Sequence, residues 1–439
     1  MTDFATEARK DTLDKDLDKL VHVEEAASFL ARGLVAPGLG LLFLALSAIV
    51  ASFFVMGEPG AVVIIAASAI GGYMALNIGA NDVANNVGPA VGAKALTMGG
   101  ALAIAAVFES AGALIAGADV VTTISSGIVN PAAVSDQGVF VRLMLAALIS
   151  SALWINLATW IGAPVSTTHA VVGGVAGAGI AAAGFAAIDW ATLGSIAASW
   201  VISPALGGFV AILFLAFIKA AIIYQDDKIA AARLWVPLLI AVMAGAFSAY
   251  LATKGLKRII DISGLQVAVL GLGSFVLVWG ISKVAVDRQA VHLENRNQSL
   301  RQLFHLPLIF SAALLSFAHG ANDVSNAVGP LAAIVHAASG DMSATVGIPL
   351  WVMVIGAFGI SLGLVLFGPK LIRMVGGQIT KLNPMRAFCV ALSAAITVIV
   401  ASWLGMPVSS THIAVGAVFG VGFFREWYTA NSPRRRTYL

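Results

Sequence analysis

"GANDVANNVGP" occupies Gly79–Pro89, and "GANDVSNAVGP" occupies Gly320–Pro330, 241 positions later. Each copy follows a long apolar run. The first holds one carboxylate and three asparagines, an expensive set of groups to place beside membrane-length segments. A buried carboxylate on a membrane helix costs roughly 2.5–3.5 kcal/mol on insertion scales and is functional by default.

The surrounding chain is oily. Of its 439 residues, 59% are hydrophobic and 11% are charged, against about 25% charged in a soluble domain. Several apolar runs reach the roughly 20 residues that cross a hydrocarbon core. The composition predicts an all-α polytopic membrane protein in contact with the lipid bilayer, with no nucleic-acid partner. The one cysteine, Cys389, excludes an intrachain disulfide and a thiolate metal site. Twelve spans are expected, near 34–57, 61–78, 99–118, 139–160, 165–184, 191–218, 235–252, 263–282, 304–319, 346–368, 387–404 and 408–424.

Residues 1–33 carry 13 charges, 8 acidic and 5 basic. They read as a charged cytosolic arm, with Leu13, Leu17, Leu20 and Val21 at helical spacing. Most basic residues gather on one set of loops, with Lys254, Lys257 and Arg258 on the other, and loops 119–138 and 331–345 have none. That bias places the N-terminus in the cytoplasm. The expected units are the arm at 1–33, an additional membrane helix at 34–57, a first repeat at 61–218, a connecting region at 219–303, a second repeat at 304–425 and a basic tail at 426–439.

A second motif is also duplicated. "APVSTTH" at Ala163–His169 matches "MPVSSTH" at Met406–His412, 243 positions later, and Gly173 and Gly177 recur as Gly416 and Gly420. The glycine pairs read as small-residue faces for close helix contact. Loop 119–138 lacks basic residues while its counterpart 369–386 has four, so the two halves read as inverted-topology repeats. Such repeats place a site near the bilayer midplane, between broken or re-entrant helices.

The residue types divide the chemistry. Asp82 and Asp323 can take Na⁺ or a proton, and Asn85, Asn326 and the amides of Asn81 and Asn322 offer both donors and acceptors. Gly79, Gly88 and Pro89 predict local unwinding there, tolerated only beside protein or a cavity. Pro164 and the hydroxyls of Ser166, Thr167 and Thr168, with Ser409, Ser410 and Thr411, read as helix starts. A helix start offers free amides and positive dipole to an oxyanion. Glu109 is single and reads either as part of a cation site or as a helix lock. His169 and His412 read as anion partners or as satisfied helix residues. His319 has Ile78 as its counterpart and reads as structural. No metal-hydrolase or nucleophile–base motif occurs.

At these residues the sequence resembles the inorganic phosphate transporter (PiT) family, through "GANDVANNVGPAVGAKALT", "FESAGALIAG", "PVSTTH", "GANDVSNAVGPLAAI" and "PVSSTH" over about residues 61–425. The resemblance implies a secondary transporter that moves phosphate with Na⁺ or H⁺ and needs no other cofactor. It assigns Asn81, Asp82, Asn322 and Asp323 to the ion and anion sites, and the PVS hydroxyls to phosphate. Family members often carry a glutamate after the second-half "NP" turn, where this chain has Ala391.

The expectation is therefore cation-coupled symport of inorganic phosphate across a bacterial inner membrane. Asp82, Asn85, Glu109, Asp323 and Asn326 would serve the coupling ion, with Na⁺ at Asp82 and Asp323. Sulfate is the alternative anion, and a non-transporting receptor or scaffold the alternative class. A homodimer is a further expectation.

Overall fold

The computed structural model describes residues 33–129, 134, 136–258, 260–339, 347–378 and 382–430. The expected arm and most of the basic tail lie outside the described residues. The rest is helical: α1 (Gly33–Val55), α2 (Ala61–Gly92), α3 (Met98–Ala116), α4 (Ala118–Ser126), α5 (Gln137–Ile161), α6 (Thr167–Ala183), α7 (Trp190–Ile218), α8 (Lys228–Lys254), α9 (Gly264–Ala290), α10 (Asn297–Leu303), α11 (His305–Ala338), α12 (Leu350–Gln378), α13 (Pro384–Trp403) and α14 (Ser410–Ala430).

Local chemistry sets the boundaries. Thr97, Asp136, Ser166, Asp189, Asp227 and Asn383 each cap a helix by accepting a first-turn amide, which satisfies an otherwise orphaned donor. Gly162 (φ 82°) and Gly405 (φ 68°) stand 243 positions apart, and each turns the chain out of a helix in the left-handed region. A side chain there would be strained.

Among the described residues, nine helices are long and apolar enough to cross a membrane, or ten if α10 and α11, bent by 45°, form one span. Both figures are below the expected twelve. The predicted span 165–184 is α6, only 17 residues long, and its partner α5 leads into the same central turn. Ile128 and Val129, ahead of α5, meet Ile188 and Asp189, beyond α6, through an antiparallel bridge and an Asp189 N–H bond to the Ile128 carbonyl (3.0 Å). The α5–α6 pair therefore returns to the face it entered from. Part of the expected loop 119–138 is the helix α4.

The predicted unwinding at the two GAND motifs does not occur. α2 and α11 run 32 and 34 residues without a break, with Pro89 and Pro330 inside them. The chain breaks instead at 162–166 and 404–409. The asparagine side chains bond to those breaks, as described below, rather than competing for their own helix backbone.

α2 and α11 form the centre, and both motifs are buried. Glycine lets neighbouring backbones approach them. A Cβ on Gly79 would collide with the Ile360 carbonyl of α12, and one on Gly320 with the Glu109 carbonyl of α3. The crossings are reciprocal: Gly363 meets the Leu76 carbonyl and Gly112 meets the Phe317 carbonyl. α1 packs beside this core, with Phe43, Leu44 and Ser47 against Gly72.

The two glycine pairs expected to mediate close contact behave differently. Gly416 and Gly420 lie against the backbone of Pro204 and Gly208 in α7. Gly173 and Gly177 are exposed with open space around them, so the expectation fails in the first half. The sequence spacing is shared, but among the described residues only α14 has a neighbouring helix on that face.

Candidate functional site

The buried amides of α2 and α11 position the two central turns. Asn81 Nδ2 donates to Thr159 Oγ1 (2.9 Å) and to the Ala163 carbonyl (3.2 Å), and its Oδ1 accepts from Val165 N–H (3.0 Å). Asn322 does the same 241 positions later. Its Nδ2 donates to Ser402 Oγ (3.0 Å) and the Met406 carbonyl (3.1 Å), and its Oδ1 accepts from Val408 N–H (3.2 Å). Both amides, expected at the substrate, hold the PVS turns in place with their donors and acceptor engaged.

Each turn presents a hydroxyl to the carboxylate on the same central helix. Thr167 Oγ1 donates to Asp82 Oδ2 (2.9 Å), and Ser410 Oγ donates to Asp323 Oδ2 (3.0 Å). The next hydroxyl crosses to the opposite turn. Thr168 Oγ1 donates to the Val408 carbonyl (2.9 Å). Thr411 Oγ1 lies within bonding distance of both the Val165 carbonyl (3.3 Å) and Asp82 Oδ1 (3.2 Å). Asn85 donates to Thr411 (2.9 Å), and Asn326 to Thr168 (3.1 Å). The acid motif and the hydroxyl motif therefore meet at one place rather than dividing into two.

Ser166 and Ser409 cap α6 and α14 by accepting the amides of His169 and His412, both at 3.2 Å. The first-turn amides of Thr167, Thr168, Ser410 and Thr411 have no acceptor within their own helices. His169 and His412 approach each other with ring centroids 4.6 Å apart, and His169 also packs on Trp200 at 3.9 Å.

One set of contacts has no twin. His319 Nε2 lies 2.8 Å from Asp323 Oδ2 and 3.6 Å from Asp82 Oδ2, and its Nδ1 lies 3.3 Å from Glu109 Oε2. Asn86 Nδ2 donates to Glu109 Oε1 (2.7 Å). The matching positions in the other half are Ile78 for His319, Ala327 for Asn86 and, by the helix crossings, Ile360 for Glu109. All six are buried.

His319, read as structural from the sequence, lies among the carboxylates, and Asn86 joins it there. Both were passed over because the repeat directs attention to residues that occur twice. His319 lies one turn before Asp323, and that i, i+4 spacing was the signal available.

Three carboxylates and one histidine meet here without contact to water. Atoms of Asp82, His319 and Asp323 lie within 4.8 Å of one another. Two unit charges at about 4 Å cost about 4 kcal/mol at an effective dielectric of 20. Several buried oxygens near them also lack a hydrogen-bond donor: Asn86 Oδ1, Glu109 Oε2, Asp323 Oδ1 and Asn326 Oδ1. Concentrated acceptor oxygens and negative charge suit a hard cation.

Comparison with known proteins gives the family. The model of the family described as "Phosphate transporter family" matches residues 78–437. A Helicobacter pylori protein named as a candidate phosphate permease is 53% identical over 424 residues, covering 96% of this chain and 80% of that protein. One from Chlamydia trachomatis is 40% identical over 379 residues, covering 81% and 88%. A solved structure described as "The sodium-dependent phosphate transporter" superposes with a TM-score of 0.79 at 36% identity, covering 84% of this chain and 92% of the other. The chain is an integral membrane protein and belongs to the phosphate transporter family, whose members carry phosphate rather than catalyse a reaction.

Proposed function

We propose that this protein is a symporter that couples inward movement of a cation to that of inorganic phosphate by alternating access. The observation that carries the reading is the paired placement of Thr167 on Asp82 and Ser410 on Asp323, each hydroxyl at the start of a helix. In this reading the phosphate oxygens take the hydroxyls of Ser166, Thr167, Thr168, Ser409, Ser410 and Thr411 with the free first-turn amides. The cation sits among Asp82, Asp323, Asn85, Asn326 and Glu109. It neutralises the carboxylates so that an anion can enter beside them.

The name of the solved relative supports Na⁺ as that cation. The matched contacts at offsets of 241 and 243 support two inverted repeats. The basic loops support a plasma-membrane protein with its N-terminus in the cytoplasm.

Reconstituted protein tests this with radiolabelled phosphate, imposing Na⁺ and pH gradients separately. Uptake driven by an inward Na⁺ gradient is expected, and sulfate should compete poorly. Uptake indifferent to both gradients rejects symport. Sulfate uptake at the same rate as phosphate reassigns the substrate.

A further inference from the structure

The two faces of the central site are not alike. A cavity of about 340 Å³ lies between α2 and α14 and reaches Asn85 and Thr411, both bonded into the Asp82 cluster. Its α14 wall is formed in part by Ala414, Val415, Val418 and Gly422. The matching positions on α6 are Val171, Val172, Val175 and Gly179, and all four are buried.

What covers Gly179 is specific. A Cβ on Gly179 would lie 2.7 Å from Val129 Cγ2 and 3.0 Å from Ile188 Cδ1. A Cβ on Gly329 of α11 would lie 2.7 Å from Ile124 Cγ2. Val129 and Ile188 are themselves tied by an isolated antiparallel bridge, supported by the bond from Asp189 N–H to the Ile128 carbonyl. Beside this closure lies a polar recess lined by Thr122, Thr123, Ser126, Gly127 and Thr192, with Lys254 paired to Asp119. Along the chain, Ser126 and Gly127 of this recess lead directly into Ile128 and Val129.

We propose that the Val129–Ile188 bridge, seated on Gly179, is the latch that shuts the second route to the site. This rests on the alternating-access reading above. In the state shown here, the α2–α14 side is open as far as Asn85 and Thr411, next to the buried Asp82, and the α6–α11 side is closed. Parting the bridge lifts two β-branched side chains off Gly179. It exposes the Val171–Val175 face of α6 as the wall of a new cavity, matching the present wall on α14. The closure is mainly apolar contact with few backbone bonds, so its opening is a local event rather than unfolding of the bundle.

The test uses the full chain with Cys389→Ala, Val129→Cys and Ile188→Cys. Residues facing each other in an antiparallel pair have Cα atoms about 4.5–5.5 Å apart, within the range a disulfide accepts. Oxidation should abolish phosphate uptake and reduction should restore it. In the same preparations, hydrogen exchange over residues 171–180 should be slower in the oxidised form. This second readout does not depend on transport. If the reduced protein takes up no phosphate but exchange still responds to the cross-link, the latch stands and the symport reading falls. If uptake continues in the cross-linked protein, or exchange is the same in both forms, the latch is wrong. Should the cysteine pair fail to fold, Val129→Ala with Ile188→Ala serves instead, and it should speed exchange over 171–180 relative to the parent. Unchanged exchange there overturns the proposal.

Discussion

His319 Nδ1 lies 3.3 Å from Glu109 Oε2, while the same two places in the other half hold Ile78 and Ile360. The molecule is therefore nearly two-fold in its hydroxyl and aspartate contacts but one-sided in its extra charge. A one-sided acid is suited to a coupling ion, which needs a place of its own beside a shared anion site. Glu109→Gln keeps an oxygen for Asn86 and removes the charge. The half-saturating cation concentration for uptake should rise about tenfold, equivalent to about 1.4 kcal/mol. Cation dependence equal to the parent would remove Glu109 from the ion site. His319→Gln should shift it in the same assay, and Ile360→Val should not.

Asn81 and Asn322 are clamps in this account. Asn81→Ala takes the acceptor from Val165 N–H and the donor from the Ala163 carbonyl. Leaving such buried groups unpaired costs about 1–3 kcal/mol each. Thermal melting in detergent should fall, and uptake should fall with it because Ser166–Thr168 lose their position. Asn322→Ala should match it closely. A variant with normal melting and normal uptake would show that the amides are dispensable.

The helix crossings give a prediction with an internal control. Gly79→Ala drives a methyl into the Ile360 carbonyl, which is backbone and cannot rotate away. Overpacking of this kind costs about 1–3 kcal/mol or more. Gly173→Ala meets nothing within 4 Å and should leave melting unchanged. Equal melting of the two variants would contradict the close approach of α2 and α12.

Much of this site was legible in the sequence because it occurs twice. Two acids, two hydroxyl runs and their order in the chain were visible, and the structure brings Asp82, Thr167, Asp323 and Ser410 together. The single-copy members were not legible by the same route. His319 and Asn86 have Ile78 and Ala327 as counterparts, so the repeat gave no reason to select them. The continuity of α2 and α11 was hidden for a different reason. Glycine, asparagine and proline weaken an isolated helix, but here glycine admits a neighbouring backbone and asparagine bonds a distant turn. Those are tertiary contacts, and local propensity does not report them. Hydropathy alone does not separate a hairpin such as α5–α6, which returns to the side it came from, from two crossings.

In the proposed symport, Asp82 and Asp323 jointly hold the cation that admits phosphate. Its most direct test is radiolabelled phosphate uptake into proteoliposomes by Asp82→Asn, Asp323→Asn and the double variant, each checked for parental melting behaviour. Asparagine keeps the shape and an oxygen for Thr167 or Ser410 while removing the charge. The account predicts that each single variant loses most cation-driven uptake and that the double variant loses all of it while remaining folded. Uptake by the folded double variant at the parental rate, with the parental dependence on cation, would contradict it.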